Sequence, residues 1–426
     1  MQVQKTIKFK VGELRKGKQE LIDLALTNSV NAIKDFMDLS LKNKTTSKTK
    51  LHHLGYKDMR KKYDLPSCII HQSREKASEI VKTWKTNKRR LYKNIPKPEP
   101  KALRIRYDNV SFDVTKTENK EFKFWASILI KAGYKRDGSR IYLPLIINSD
   151  WQKNYLNDLM NKKYKQGSAD LVKKGKDYFI HIVLNKEVKF KQKKKYNPIG
   201  IDVGINNLAV VNINGKSKFF NGKRAIVTKK HFNKIKSLYQ SRNNQRMLKA
   251  IKGKEQRYFN HINNEISSWV VENAKLQKNP VIVMEDLTHI IQNNNVRKKQ
   301  RYIHQTWAFR RLQQMIQYKA VWSNIPVVYI QPHYTSQVCP KCLSTNKRKK
   351  HDYKCKHCGY EANSDHVGAV NIRKKFLEGI SFRDLAPINR AIGFSFCEPE
   401  AMIERKAKKH VIIMEDVSPI RNTCIL

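Results

Sequence analysis

NPIGIDVGINNLAVVNINGKSKFF, residues 197–220, decides the fold. Its first eight residues are a near-continuous apolar run broken by one carboxylate, Asp202. A run of that kind predicts a strand buried inside a layered protein. NLAVVNING (207–215) and KSKFF (216–220) follow as two further strands. Next comes a long polar stretch, about 228–275, which reads as helical, with Gly253 marking a turn between two helices. NPVIVMEDL (279–287) is another buried strand, RRLQQMIQYKAVWSNI (310–325) a helix, PVVYIQ (326–331) a strand and HVGAVNIRKKFLEG (366–379) a helix. Strands alternating with helices predict an α/β layer fold.

Upstream the character differs. Residues 3–10 alternate like a strand. Ile22, Leu26, Val30, Ile33 and Met37 fall at spacings of three and four, an amphipathic helix over about 20–42. A second helix follows Pro66 and runs through Ile70, Ala77, Ile80, Trp84 and Leu91, with Lys and Arg on its exposed faces. PKPEP (96–100) breaks it. Residues 101–190 read mostly as strands, with a turn at RDGS (136–139) and a short helix at 151–163, which suggests a small β-barrel interrupted by a helical insertion. KEVKFKQKKK (186–195) holds six lysines in ten residues, an exposed basic linker.

Composition narrows the partners. The chain has 426 residues, with 87 Lys and Arg against 36 Asp and Glu, a formal net charge of +51. Self-repulsion at that level calls for a polyanion, and nucleic acid is favoured over an anionic membrane surface. A hydrophobic content of 40% is enough to bury real cores, which argues against wholesale disorder. No stretch approaches 18 apolar residues, so no membrane span is expected. The first twenty residues lack the apolar run of a secretory signal, and Cys424 is misplaced for a prenylation box.

Three carboxylates stand out. Asp202 ends an apolar strand between Gly200 and Gly204, which are read as leaving room for a bulky ligand. Glu285 shares a strand face with Val281 and Val283, a costly place for a charge unless it is paired or holds a metal. Its neighbour Asp286 points the other way. Asp365 begins a helix with Gly368 and Ala369 one turn on; it is either a plain N-cap or a group aimed at the strand ends. None has an obvious nucleophile partner. The set suits two hard cations such as magnesium and, with the charge, points to phosphodiester hydrolysis.

Of seven cysteines, Cys339, Cys342, Cys355 and Cys358 form C-x2-C-x12-C-x2-C. Two such knuckles favour one structural zinc in a reducing compartment over a redox pair or a disulfide frame. His351 and His357 are spare candidates, read as solvated or phosphate-contacting. Lys341, Lys347, Arg348, Lys349, Lys350 and Lys354 make the module basic.

GIDVG (200–204), VIVMEDL (281–287), WAFRRLQQMIQYKA (307–320), YTSQVCPKC (334–342) and YKCKHCGYEANSDHVGAVNI (353–372), in that order, resemble the transposon-encoded TnpB proteins and their descendants, the miniature type V CRISPR nucleases. The resemblance is specific over 199–375; residues 1–190 match only in layout. It implies a multidomain α/β protein. An RNase H-like (RuvC) nuclease domain at 199–334 and 361–380 carries an inserted zinc ribbon at 335–360. Before it stand a β-barrel at 1–12 and 101–190, a helical recognition insertion at 13–100 and a basic linker at 191–198; the tail 381–426 is unassigned. Asp202, Glu285 and Asp365 fall on the catalytic, magnesium-binding positions, and the four cysteines on the zinc ligands. The implied activity is RNA-guided cleavage of both DNA strands at one two-metal site, beside a short duplex motif. Guide RNA and double-stranded DNA are the implied partners, with one protein copy per guide RNA, in the prokaryotic cytoplasm. A catalytically silent RNA-guided DNA-binding protein and a zinc-ribbon RNA-binding protein are the alternatives.

Three positions depart from the family pattern. Leu343 stands where Gly is usual, so the first knuckle is expected to be strained; His366 stands in place of Arg, and Gly368 in place of Ala. VIIMEDVSPI (411–420) repeats six of ten residues of VIVMEDLTHI (281–290), which makes Glu415 a rival to Glu285; the motif order favours Glu285.

Overall fold

The computed structural model describes residues 1–91, 95–100, 103–118, 121–131, 140–190, 193, 195–287, 309–346 and 352–377. They divide into two compact units, Gln2–Lys186 and one from Glu187 onward. The tail with Glu415, the RDGS turn, His351 and the lysine-rich run 347–350 lie outside the described residues.

In the first unit, β1 (Gln2–Val11) buries the odd-numbered Val3, Ile7, Phe9 and Val11, the period of two of a half-buried strand. Helix α1 (Lys16–Lys42) buries Ile22, Leu26, Val30, Ile33 and Met37 on one stripe. Helix α2 (Lys48–Tyr63) was not expected from the sequence. It is highly polar, yet Leu51, Gly55, Met59 and Tyr63 recur every fourth residue and are its buried face. Ser47 caps it by accepting from the Lys50 N–H. At Gly55 a Cβ would lie 2.5 Å from Leu39 Cδ1, so glycine permits the close packing on α1. Helix α3 (Ser67–Leu91) follows Pro66 as expected and buries Ile69, Ile70, Ala77 and Val81.

The strands of this unit are β2 (Arg104–Tyr107), β3 (Phe112–Lys116), β4 (Phe124–Leu129), β5 (Arg140–Ile146), β6 (Lys165–Lys174) and β7 (Asp177–Glu187). With β1 they make one seven-stranded sheet in the order β2-β6-β7-β1-β5-β4-β3. A register shift in β6 between Gln166 and Ala169 bends it. There Gln166 Nε2 donates to Phe112 O (2.8 Å), so the sheet rolls until edge strand β3 meets β6. Helix α4 (Asp150–Met160) interrupts the strands and stops short of the predicted 163; Lys162 adopts a φ of 58° in the turn that follows.

The second unit is built on five strands: β8 (Asn197–Asp202), β9 (Asn207–Ile213), β10 (Lys216–Asn221), β11 (Pro280–Glu285) and β12 (Val327–Ile330). Their order is β10-β9-β8-β11-β12. The pairs β8–β9 and β9–β10 are antiparallel; β8–β11 and β11–β12 are parallel. Asn214 (φ 51°) and Gly215 (φ 86°) make the tight β9–β10 turn, the conformation that a two-residue hairpin requires. Because β8 begins at Asn197, the last two residues of the stretch read as linker belong to the sheet.

Three helices bridge β10 to β11: α5 (Lys223–Ser241), α6 (Gln245–Ile251) and α7 (Lys254–Lys275), one more than expected, with Gly253 (φ 76°) at the predicted break. Helix α8 (Phe309–Trp322) joins α7 against one sheet face. There Ile199, Ile201, Ile282, Met284 and Val327 pack with Ile266, Val270, Leu312 and Ile316. Helix α9 (Ser364–Leu377) covers the other face, where Val281, Val283, Val328 and Ile330 meet Ile372. The short strands β13 (Asp352–Lys354) and β14 (Glu361–Asn363) pair as a hairpin that leads directly into α9.

Candidate active site and metal centre

Strand periodicity assigns each carboxylate to a face. Ile199 and Ile201 enter the core under α7 and α8, so Gly200 and Asp202 face α9. Ile282 and Met284 do the same in β11, which puts Val281, Val283 and Glu285 on the α9 side. In the parallel register Met284 pairs with Ile201. Glu285 and Asp202 are thus the next residues of two neighbouring strands, at the same sheet rim. Asp286 turns to the opposite face, as expected. Burial pushes the Tyr329 phenol up there, and the Asp286 charge adds to the shift.

Helix α9 brings the third carboxylate. A Cβ on Gly200 would lie 2.1 Å from Ala369 O, and one on Gly368 only 2.6 Å from Asp202 Oδ2. The room at Gly200 is therefore taken by the helix backbone, not by a ligand, which corrects the sequence reading of that residue. Gly368, one turn on from Asp365, lets α9 touch the Asp202 carboxylate. The capping role falls to Asn363, whose Oδ1 accepts from the Asp365 N–H (2.9 Å). The Asp365 side chain instead accepts from Asn207 Nδ2 (2.8 Å) in β9. All three carboxylates are half-buried.

Neighbouring polar groups fix Glu285 and α9, and sequence reasoning assigned them no role. Gln313 Nε2 donates to the Glu285 carbonyl (2.7 Å), and Thr335 Oγ1 donates to Glu285 Oε1 (2.5 Å). Asn371, on α9, donates to the carbonyls of Thr335 and Val338 (both 2.7 Å). Gln313, Thr335 and Asn371 are all nearly fully buried. For Gln313 and Asn371 a polar side chain on an apolar helical stripe was the signal available, since such groups need partners; Thr335 lies in a turn, which carries no such pattern. His366, in place of Arg, shares a 2.8 Å hydrogen bond with Ser217 Oγ, and burial lowers its pKa.

The four cysteines converge as the spacing predicts: their sulfurs all lie within 4.8 Å of one another. Cys339 and Cys358 are 3.6 Å apart, Cys342 and Cys355 3.5 Å. A tetrahedral zinc with bonds of about 2.3 Å needs sulfurs roughly 3.8 Å apart, so the cluster could hold that ion. His357 is exposed and outside the group. Ser344 Oγ stands 3.1 Å from Cys342 and 3.3 Å from Cys355. Its hydroxyl draws these two thiols down, while burial and the neighbouring thiols push Cys358 up to about 12. Leu343 carries the expected strain: its φ is 63°, matching Gly359 (φ 70°) at the same place in the second knuckle. Tyr353, Cys339, Cys355 and Val367 of α9 form one small core, which seats the module on the helix that bears Asp365.

Fold and site define a multidomain α/β protein with a four-cysteine cluster that could hold a metal ion. Residues 309–372 match the family described as "Cas12f1-like, TNB domain", and residues 181–275 match "Probable transposase". A TnpB-like protein of Methanocaldococcus jannaschii is 29% identical over 256 residues, 56% of this chain and 88% of that protein. A CRISPR-associated endodeoxyribonuclease Cas12f2 of a Micrarchaeota archaeon is 28% identical over 305 residues, 64% of this chain and 54% of the other, so the chain spans about half of that relative. In Sulfoacidibacillus thermotolerans, a Cas12f1 endodeoxyribonuclease is 40% identical over 113 residues, a quarter of each chain (26% and 25%). A Cas12f1 chain, from a cryo-EM structure titled as its complex with sgRNA and target DNA, superposes with a TM-score of 0.58 at 14% identity, covering 84% of this chain and 83% of that one; this likeness concerns the fold. The chain is a homologue of the TnpB-like proteins and the Cas12f nucleases, as its motifs anticipated. Among the described residues no helix is long and apolar enough to cross a membrane.

Proposed function

We propose that this chain is an RNA-guided DNA endonuclease whose one active site is built from Asp202, Glu285 and Asp365. The contact at Gly368 carries the reading. It brings the helix bearing Asp365 against the Asp202 carboxylate, on the face where Glu285 ends the adjacent strand. The strand order, third-second-first-fourth-fifth in chain sequence within this unit, supports an RNase H-like (RuvC) core. Three half-buried carboxylates with no thiol or imidazole among them fit hard, oxygen-seeking cations. Two magnesium ions held there would supply Lewis-acid stabilisation and water activation for phosphodiester hydrolysis. Asp202, Glu285 and Asp365 would hold those ions, while Asn207 and Thr335 keep two of the carboxylates aimed.

The four thiols would hold one structural zinc, and their basic module would contact nucleic acid. The sheet and helices α1–α3 of the first unit would grip the guide–target heteroduplex and read the short adjacent motif. Relatives named as CRISPR-associated endodeoxyribonucleases and the complex with sgRNA and target DNA support guide RNA and double-stranded DNA as partners. A heteroduplex of about 20 base pairs carries roughly 40 phosphates, a load suited to a net charge of +51. One copy per guide RNA, cutting both strands in the prokaryotic cytoplasm, completes the proposal.

The test is cleavage of a matched plasmid by the purified protein with its copurified RNA and magnesium. The wild type should cut both strands. Asp202→Ala, Glu285→Ala and Asp365→Ala should each abolish cutting and keep guide-dependent binding. A wild type that binds without cutting would leave a silent RNA-guided binder instead.

A further inference from the structure

The Thr335 hydroxyl carries one proton and has two acceptors in reach: Glu285 Oε1 at 2.5 Å and Pro332 O at 3.4 Å. The shorter contact to a charged oxygen is much the stronger, so the proton goes to Glu285. We propose that Thr335 is a positioning residue for the nuclease centre. It holds one oxygen of Glu285 so that the other is presented toward Asp202 and Asp365. The inference rests on the nuclease reading above and adds to it the group that orients its second carboxylate.

The surroundings make this more than a stray surface contact. Thr335 is 4% exposed, so its hydrogen bond is shielded from competing water. Its backbone is fixed independently, because Asn371 donates one amide hydrogen to Thr335 O and the other to Val338 O. Asn371 lies on α9, six residues beyond Asp365. Gln313 of α8 grips the Glu285 carbonyl from the opposite side. Glu285 is thereby held at its backbone by one helix and at its carboxylate by a segment that the other helix anchors. A glutamate has three side-chain torsions, and each restraint on them narrows where its carboxylate can sit relative to Asp202 and Asp365. The segment also runs straight into Cys339, so Thr335 ties the metal module to the carboxylate centre.

Removing a partner that orients a metal-binding side chain typically costs about 10- to 100-fold in metal affinity or activity. The experiment uses the full-length protein as wild type, Thr335→Val and Thr335→Ser. Manganese is the probe, its binding read from loss of the free-ion electron paramagnetic resonance signal, with Asp202→Ala as background. Zinc content and guide-directed cleavage are measured alongside. Thr335→Val should keep its zinc, bind manganese about 10-fold or more weakly, and cut correspondingly slowly. Thr335→Ser, which restores the donor, should recover most of both. Unchanged manganese affinity in Thr335→Val, or loss of its zinc, would overturn the proposal in favour of a merely structural residue. A wild type that neither binds manganese above background nor cuts would bring down the nuclease reading itself, and this inference with it.

Discussion

The two faces of the five-stranded sheet are built from alternate residues of the same strands, yet they differ in kind. Under α7 and α8 the contacts are aliphatic side chains from Ile199, Ile201, Ile282 and Met284 into Ile266, Val270 and Ile316. Under α9 the apolar cluster is small, the helix backbone approaches Gly200, the Asp202 carboxylate meets Gly368, and the strand ends carry carboxylates. One face stores stability in buried area, which tolerates small shifts. The other fixes positions, and burial does little of that work. A pair of adjacent strands thus supplies both a core and the proposed chemical centre, with the period of two sorting the residues between them.

Substitutions on each face should separate these roles. Loss of any of Asp202, Glu285 or Asp365 should have the largest effect, no measurable cutting in a protein that still folds and binds. Gly200→Ala comes next. Its Cβ would sit 2.1 Å from Ala369 O, so α9 must move away from the sheet. Displacements near 1 Å cost about 100-fold in rate, and overpacking costs about 1–3 kcal/mol in stability. Plasmid cleavage and denaturant unfolding measure the two. Ile316→Ala should affect cutting least. It leaves a cavity costing about 2–5 kcal/mol, while the folded protein should cut at the wild-type rate. Equal loss of cutting in Gly200→Ala and Ile316→Ala would erase the distinction between the faces.

The two knuckles make a smaller contrast of the same type. Leu343 and Gly359 adopt one left-handed turn, and the Leu343 N–H reaches Cys339 O (3.0 Å) as the Gly359 N–H reaches Cys355 O (3.1 Å). A leucine there costs about 1–2 kcal/mol. The side chain is exposed and so recovers little of this by burial. The ligand geometry, which demands the turn in both knuckles, overrides residue preference.

Much of this was legible in the sequence because it is written locally. The strand ending in Asp202, the strand ending in Glu285, the break at Gly253 and the thiol spacing are all short-range patterns. Helix α2 escaped because four buried residues among sixteen barely register in KTKLHHLGYKDMRKKY. Thr335 and Asn371 were quoted within motifs but carried no role. Their partners lie 50 and 36 residues away, and only the folded chain brings them together. Gly200 was seen as a point of close approach, but not that a helix rather than a ligand makes it.

Carboxylates from two strand ends and one helix should form a single divalent-cation centre. The most direct test is a structure of the protein with guide RNA and a non-cleavable target, with manganese in place of magnesium, using anomalous scattering to locate the ion. Metal density is expected at about 2.1 Å from carboxylate oxygens of Asp202, Glu285 and Asp365. Manganese absent from that rim, or held there by Glu415 in place of Glu285, would contradict it.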